Sequence, residues 1–188
     1  MHPLAPYANI FLGALTILAN IASLFLIFAF AAPKLKVNKL TLFFKEKSLF
    51  VAFVVSLIAT FGSLVYSDVI GYEPCKLCWF QRIFMYPGVL LYGIALWKKD
   101  YGIRIYGAWL SVIGAFIALF HYVGQLGWNP LGLECLAIGQ SASCSKNFVM
   151  IFGYITIPMM ALSAFILIAL TLFYSIRREK PADDFRIL

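Results

Sequence analysis

Cys75 and Cys78 stand two residues apart in the stretch EPCKLCWFQR, residues 73–82. This CxxC spacing leaves little chain to close, so the sulfurs can bridge as a disulfide or open as a dithiol. One sulfur can then react while the other resolves. Pro74 stops a helix from running in ahead of the pair, and the following apolar run predicts a helix that begins at Cys78 and Trp79. A helix N-terminus stabilises a thiolate through its exposed N–H groups and its dipole. Cys135 and Cys144 form a second pair with eight residues between them. If they bridge, chain entropy credits that closure with roughly 2.7 kcal/mol. Gly139, Ser141, Ser143 and Ser145 surround that pair, which suits an exposed bridge open to attack by a thiolate.

Three readings of four cysteines compete. They could form two inert structural disulfides, a structural zinc site, or a redox relay between the pairs. Zinc is disfavoured by the wide second spacing and by an extracytoplasmic location, so no metal is expected. A CxxC at the start of a membrane helix, with a second pair on the same side, favours the relay.

Those cysteines need elements to hold them. The chain of 188 residues is 63% hydrophobic, 17% aromatic and only 12% charged. A soluble domain carries roughly 25% charge, so the composition indicates an integral membrane protein. The net charge of +7 does not indicate a nucleic-acid partner, because the basic residues sit in short blocks between apolar runs. Five runs have spanning length, about 17 to 25 residues or more: Ile10–Ala32, Ser48–Ser67, Trp79–Trp97, Ile105–Gly124 and Phe148–Ile176. All are read as helices, since lone strands cannot satisfy their backbone in lipid. The last run exceeds one span, so it is expected to tilt or to extend into water, with Pro158 as a kink. Residues 33–47, 68–78, 98–104 and 125–147 are read as connections.

The charges set the orientation. With the N-terminus outside, the 33–47 and 98–104 connections and the tail face the cytoplasm. They hold twelve of the fifteen Lys and Arg residues, a strong positive-inside bias. Only Lys76, Arg82 and Lys146 lie on the outer side. All four cysteines then face the side where disulfides persist. The AFAAP stretch after the first run has the look of a signal-peptide cleavage site. Its leading segment MHPLAPYAN, however, lacks Lys or Arg, and cleavage would invert the charge pattern. The expected organisation is an extra N-terminal transmembrane helix with a basic loop (1–47), a four-helix redox unit (48–176) and a cytoplasmic tail (177–188).

A dithiol at a membrane surface has a lipid-soluble redox partner to hand, a quinone. Arg82 falls one turn after Cys78 on the same helical face. A charge inside a span marks a functional site by default. Arg82 could hold a thiolate or polarise a quinone oxygen as charge develops there; its bland alternative is snorkelling to the headgroups. His121 and Gln125, one turn apart near the outer end of the fourth run, can reach the same region. A histidine there can hydrogen-bond a quinone carbonyl or deliver a proton. Asp68 reads as an interface residue.

With these residues assembled, PCKLCWFQRIFMYP resembles the signature of the DsbB family of membrane thiol oxidoreductases, especially its BdbC-type members. HYVGQLG, the Cys135 and Cys144 pair, and GYITIPMMALSAF also look like that family. The resemblance covers roughly residues 45 to 176. It implies an all-α, DsbB-like four-helix transmembrane bundle, here five spans with the added first helix, N-terminus out and C-terminus in. It further implies a bound quinone (ubiquinone or menaquinone) and a soluble thioredoxin-fold partner of DsbA type. By that resemblance Cys135 forms the mixed disulfide with the partner, with Cys144 as its pair. Electrons then pass to Cys75–Cys78, and Cys78 contacts the quinone with Arg82 assisting and His121 nearby. The expected function is reoxidation of a disulfide donor at the bacterial cytoplasmic membrane, with the cysteines facing the periplasm or the cell exterior. Three departures stand out, one being that Cys135 and Cys144 are more closely spaced than the outer pair of some members. Gln81 precedes Arg82 where some members carry an acid, and the first helix lies outside the four-helix pattern. The alternatives are a non-catalytic transport or assembly protein with structural disulfides, and an enzyme similar to vitamin K epoxide reductase.

Overall fold

A computed structural model describes residues 3–31, 39–127 and 149–178. Six α-helices follow in order: α1 (Ala5–Ala31), α2 (Lys39–Glu46), α3 (Ser48–Leu64), α4 (Lys76–Lys98), α5 (Ile103–Gln125) and α6 (Ile157–Arg178). A π-helical turn, Val65–Val69, continues α3. Among the described residues the only strand-like feature is a bridge between Ile151 and Ile155.

Helices α1, α3 with its π turn, α5 and α6 are long and apolar enough to cross a membrane. Helix α4 is as long as α5, at 23 residues, but Gln81, Arg82 and its charged ends lower its hydropathy. It packs between α3 and α5, and that neighbourhood keeps it in the bundle. The protein is therefore an all-helical, multi-pass membrane protein. The outward faces of α1 and α5 carry exposed Phe11, Leu24, Phe28, Trp109 and Phe116, as a lipid-facing surface would.

Helix α6 is the axis of the bundle. Of its spanning window 56% is buried, against 22% for α1, and it packs on α1, α2, α3 and α5. Without a hydrophobic force between helices in lipid, close packing and small residues hold them together. Gly114 of α5 illustrates this: a Cβ there would run into the ring of Phe165 on α6, which is 1% exposed. Gly114→Ala should force the two helices apart and cost about 1–3 kcal/mol. A fall in the thermal midpoint of the detergent-solubilised protein measures it, and an unchanged midpoint would refute the tight contact.

Three expectations change here. The 33–47 connection contains α2, whose Phe44 is buried in a cluster with Leu26, Leu167 and Tyr174. The run 148–176 is not one kinked helix. Residues 151–155 form a turn, and α6 starts at Ile157, so Pro158 sits in its first turn. There the missing N–H has no helical partner to lose, so no kink is required. Helix α4 starts at Lys76 rather than Cys78, because Cys75 itself caps it.

The end of the bundle away from Cys75 is fastened by Arg104. It is buried, and its Nη1 donates to Ser175 Oγ at 2.7 Å. Ser175 Oγ in turn donates to the Lys45 carbonyl at 2.9 Å. This residue, counted as a loop charge by its position, ties α2, α5 and α6 together.

Candidate active site

Pro74 leaves Cys75 extended, with φ −70° and ψ 168°, the conformation an N-cap requires. The cap is made by sulfur: the backbone N–H of Cys78 donates to Cys75 Sγ at 3.3 Å. The first turn of α4 then carries Cys78 back over Cys75, and the two Sγ atoms lie 3.0 Å apart. Both are free thiols, and closing to a bond of about 2.05 Å needs only a small side-chain rotation. Cys75 is buried against Leu77, with Ile117 and Phe120 of α5 packed alongside, while Cys78 is half-buried.

His121 of α5 reaches this pair from the side. Its Nε2 lies 3.6 Å from Cys75 Sγ, and its Nδ1 is 3.0 Å from Gln81 Nε2. Gln81 donates, so Nδ1 accepts and the ring carries its proton on Nε2, pointing at the sulfur. Gln81 and His121 are both buried, so this orientation is held away from water. From sequence alone Gln81 has no role beyond a departure from the family pattern. Its signal was its position three residues after Cys78, on the same helix face, as a polar side chain in an apolar run.

The environment of Cys75 favours its neutral form. Its hydrogen bond with Cys78 contributes most, then burial, while His121 acts in the opposite direction. The thiol is pushed up from 9.0 to about 12. A raised value means that the proton stays on until the pH approaches that value. At pH 8 the thiolate fraction at Cys75 is then at least about a hundredfold below that of an ordinary thiol. Timed iodoacetamide labelling of the reduced protein, read by peptide mass spectrometry, should modify Cys78 first. Cys75 labelling should keep accelerating as the pH climbs past 9. Equal rates for the two cysteines at pH 8 would sink this assignment.

Arg82 is half-buried and does not touch a sulfur. Its Nε donates to Ser63 Oγ at 3.0 Å and its Nη2 to the Ser63 carbonyl at 3.2 Å. The guanidinium lies 5.1 Å from the Trp79 ring centre and 5.9 Å from that of Tyr86, and Tyr86 also donates to Ser63 Oγ. Nothing in the sequence singled out Ser63, one serine among apolar residues of α3. Gln125 Oε1 is buried without a hydrogen-bond partner among the described residues. Cys135 and Cys144 lie outside the described residues.

Two cavities meet here. A small one, about 60 Å³, is lined by Tyr72, Glu73, Cys75, His121 and Gln125. A larger one, about 400 Å³, runs into the bundle between α1, α3, α4 and α6. Ser63, Tyr66, Cys78, Arg82 and Ile157 line both. Cys78 therefore has a small compartment that includes several polar side chains on one side and a larger, almost wholly apolar one on the other. The two sulfurs and a His121 nitrogen also lie within 4.8 Å of one another, a spacing suited to three ligands of a soft divalent ion. A pair that cycles through a disulfide can offer those ligands only while reduced.

Comparison with known proteins decides the family. The model of the disulfide bond formation protein DsbB matches residues 45–175. The chain belongs to the DsbB family. This DsbB-family protein is 44% identical over 137 residues to the probable disulfide formation protein C 1 of Bacillus anthracis, covering 72% of this chain and 96% of that one. It is 44% identical over 120 residues to disulfide bond formation protein C of Bacillus subtilis (strain 168), covering 64% and 86%. With the probable disulfide formation protein of Metapseudomonas resinovorans it shares 39% over 134 residues, covering 71% and 92%. No solved structure matches it significantly. Membership makes the DsbB-family protein a thiol–disulfide oxidoreductase of disulfide bond formation, and the Cys75–Cys78 pair lies within the matched region.

Proposed function

We propose that the protein is a membrane thiol:quinone oxidoreductase that reoxidises an extracytoplasmic thioredoxin-fold disulfide donor of DsbA type. The observation that carries this reading is the position of Cys78 with Arg82 in the wall shared by the small cavity at the redox pair and the large apolar cavity. Membership of a disulfide bond formation family supports the thiol half of the reaction. The cavities support the quinone half: ligand sites are mostly apolar with a few placed polar groups, and the orphaned Gln125 Oε1 could accept from a quinol hydroxyl. Arg82 would be the donor to a quinone carbonyl, while the one N–H of His121 is aimed at Cys75 Sγ. A quinone supplies the electron sink, taking up two electrons and two protons.

The reduced partner attacks the Cys135–Cys144 disulfide and leaves oxidised, with both outer cysteines as thiols. Exchange with the Cys75–Cys78 disulfide restores the outer pair and leaves the inner pair reduced. Cys75, hard to ionise, keeps its proton and donates it towards Cys78, so the single negative charge rests on Cys78 next to Arg82. Re-forming the Cys75–Cys78 bond from this thiol and thiolate releases two electrons and the Cys75 proton to the quinone; the second proton, the one Cys78 gave up on ionising, returns from the water on the same side of the membrane. The protonated Nε2 of His121 holds a proton at Cys75 Sγ. The distribution of Lys and Arg supports cysteines that face the periplasm or cell exterior from a bacterial cytoplasmic membrane.

The test uses purified protein, a reduced DsbA-type partner and a soluble quinone. Partner oxidation and quinol formation should proceed in a one-to-one ratio. Partner oxidation with no quinol formed would rule the reading out.

A further inference from the structure

The larger cavity has a wall that the family match does not include. That match begins at residue 45, yet Leu12, Leu15, Thr16, Ala19 and Ala22 of α1 line the cavity. From Leu12 to Ala22 the helix rises about 15 Å, half of a hydrocarbon core of about 30 Å. Opposite stand Val55 and Ile58 of α3 and Met85 of α4. Phe43 and Phe44 of α2 line it towards the α2 end of the bundle, and Cys78 and Arg82 line it towards the redox pair. The hydroxyl of Thr16 is spent on the Leu12 carbonyl at 2.8 Å, so α1 offers this space no free polar group at that position. Between Thr16 and Ala22 its cavity side includes the small residues Ala19 and Ala22, while its lipid side carries Phe11, Leu24 and Phe28.

We propose that α1 completes a channel for the polyprenyl tail of the quinone, and that Thr16, Ala19 and Ala22 set the protein's preference for long-tailed quinones. The proposal rests on the quinone reading above. The space is elongated, apolar and continuous with the redox pair, which fits a long hydrocarbon chain attached to a head at Cys78. In this view α1 adds tail recognition to a four-helix unit that handles the head.

Ala19→Phe and Ala22→Phe each put a ring into the channel. Two readouts apply. The first is the KM for a long-tailed quinone relative to that for a tail-less quinone with the same head. Its ratio should rise about tenfold or more, the loss expected when about two methylenes of a tail are kept from burial. The second is the quinone extracted from freshly purified protein, which should fall severalfold in both variants. Ile21→Phe, on the lipid face of α1 and 59% exposed, is the control and should change neither, and thermal midpoints report whether each variant folds. An unchanged ratio and unchanged quinone content in folded variants would overturn the proposal and leave the channel to a lipid chain. A parallel loss with both quinones would overturn it too, giving α1 a structural role. If the wild type reduces the tail-less quinone but shows no gain from a tail, the channel fails and the quinone reading stands. If it reduces neither, both fall.

Discussion

Cys78→Ser should abolish steady-state quinone reduction, by at least about a thousandfold, while allowing one round of partner oxidation. The first part follows from chemistry: the inner pair cannot re-form a disulfide without its second sulfur, and losing a reacting atom removes nearly all of the acceleration. The second follows from the division of labour between the pairs. In the proposed relay a Cys135–Cys144 disulfide would still accept two electrons from a reduced partner, and then have nowhere to send them. Mixing the variant with excess reduced partner should give a burst of one oxidised partner per protein, then a stop. Quench-and-label gels read the burst, and absorbance reads the quinol. Continued quinone reduction by Cys78→Ser would end the relay model. A burst of zero would instead place the first exchange at the inner pair.

Arg82→Met should lower quinone reduction by about a hundredfold to a thousandfold, the range seen when one donor aimed at developing negative charge is lost. The fall is expected chiefly in kcat. The guanidinium makes two hydrogen bonds to Ser63 and sits between the rings of Trp79 and Tyr86, so its position is set before any substrate arrives. Arg82→Lys keeps the charge but not the planar fork that grips Ser63 at both Oγ and the carbonyl. It should recover only part of the rate, roughly tenfold below wild type. Stopped-flow quinol formation at saturating partner separates the variants. Activity in Arg82→Met within threefold of wild type would reduce Arg82 to a fastener between α3 and α4.

The parts of this molecule that read directly from its residues are those governed by composition along one strand of chain. Long apolar runs announce helices in lipid, and Pro74 with a CxxC announces a helix entry. Cys75, Cys78, Arg82 and His121 stand out for the same reason, as reactive or polar types in an apolar setting. Contacts between helices do not read this way. That Gln81 orients His121 across the gap between α4 and α5, or that Ser63 holds Arg82, depends on how the helices rotate against each other. Apolar length also says nothing about helical continuity. Residues 149–156 are as apolar as α6, yet Gly153 adopts φ 77° and the chain turns there. The short α2 was hidden by its lysines, which mark topology so strongly that Phe44 was overlooked.

The described residues given roles in the proposed reaction all stand at one end of the bundle: Cys75 and Cys78 at the entry of α4, Arg82 one turn in, His121 and Gln125 at the exit of α5. In the proposed reaction a dithiol gives up two electrons together with two protons, and both kinds of particle arrive at the same acceptor at nearly the same depth. No net charge then crosses the bilayer. A charge carried across would feel about 2.3 kcal/mol per 100 mV, but this transfer is electrically silent. Disulfide synthesis by such a protein would neither draw on the membrane potential nor build it at this step, and would continue in a cell whose membrane is depolarised.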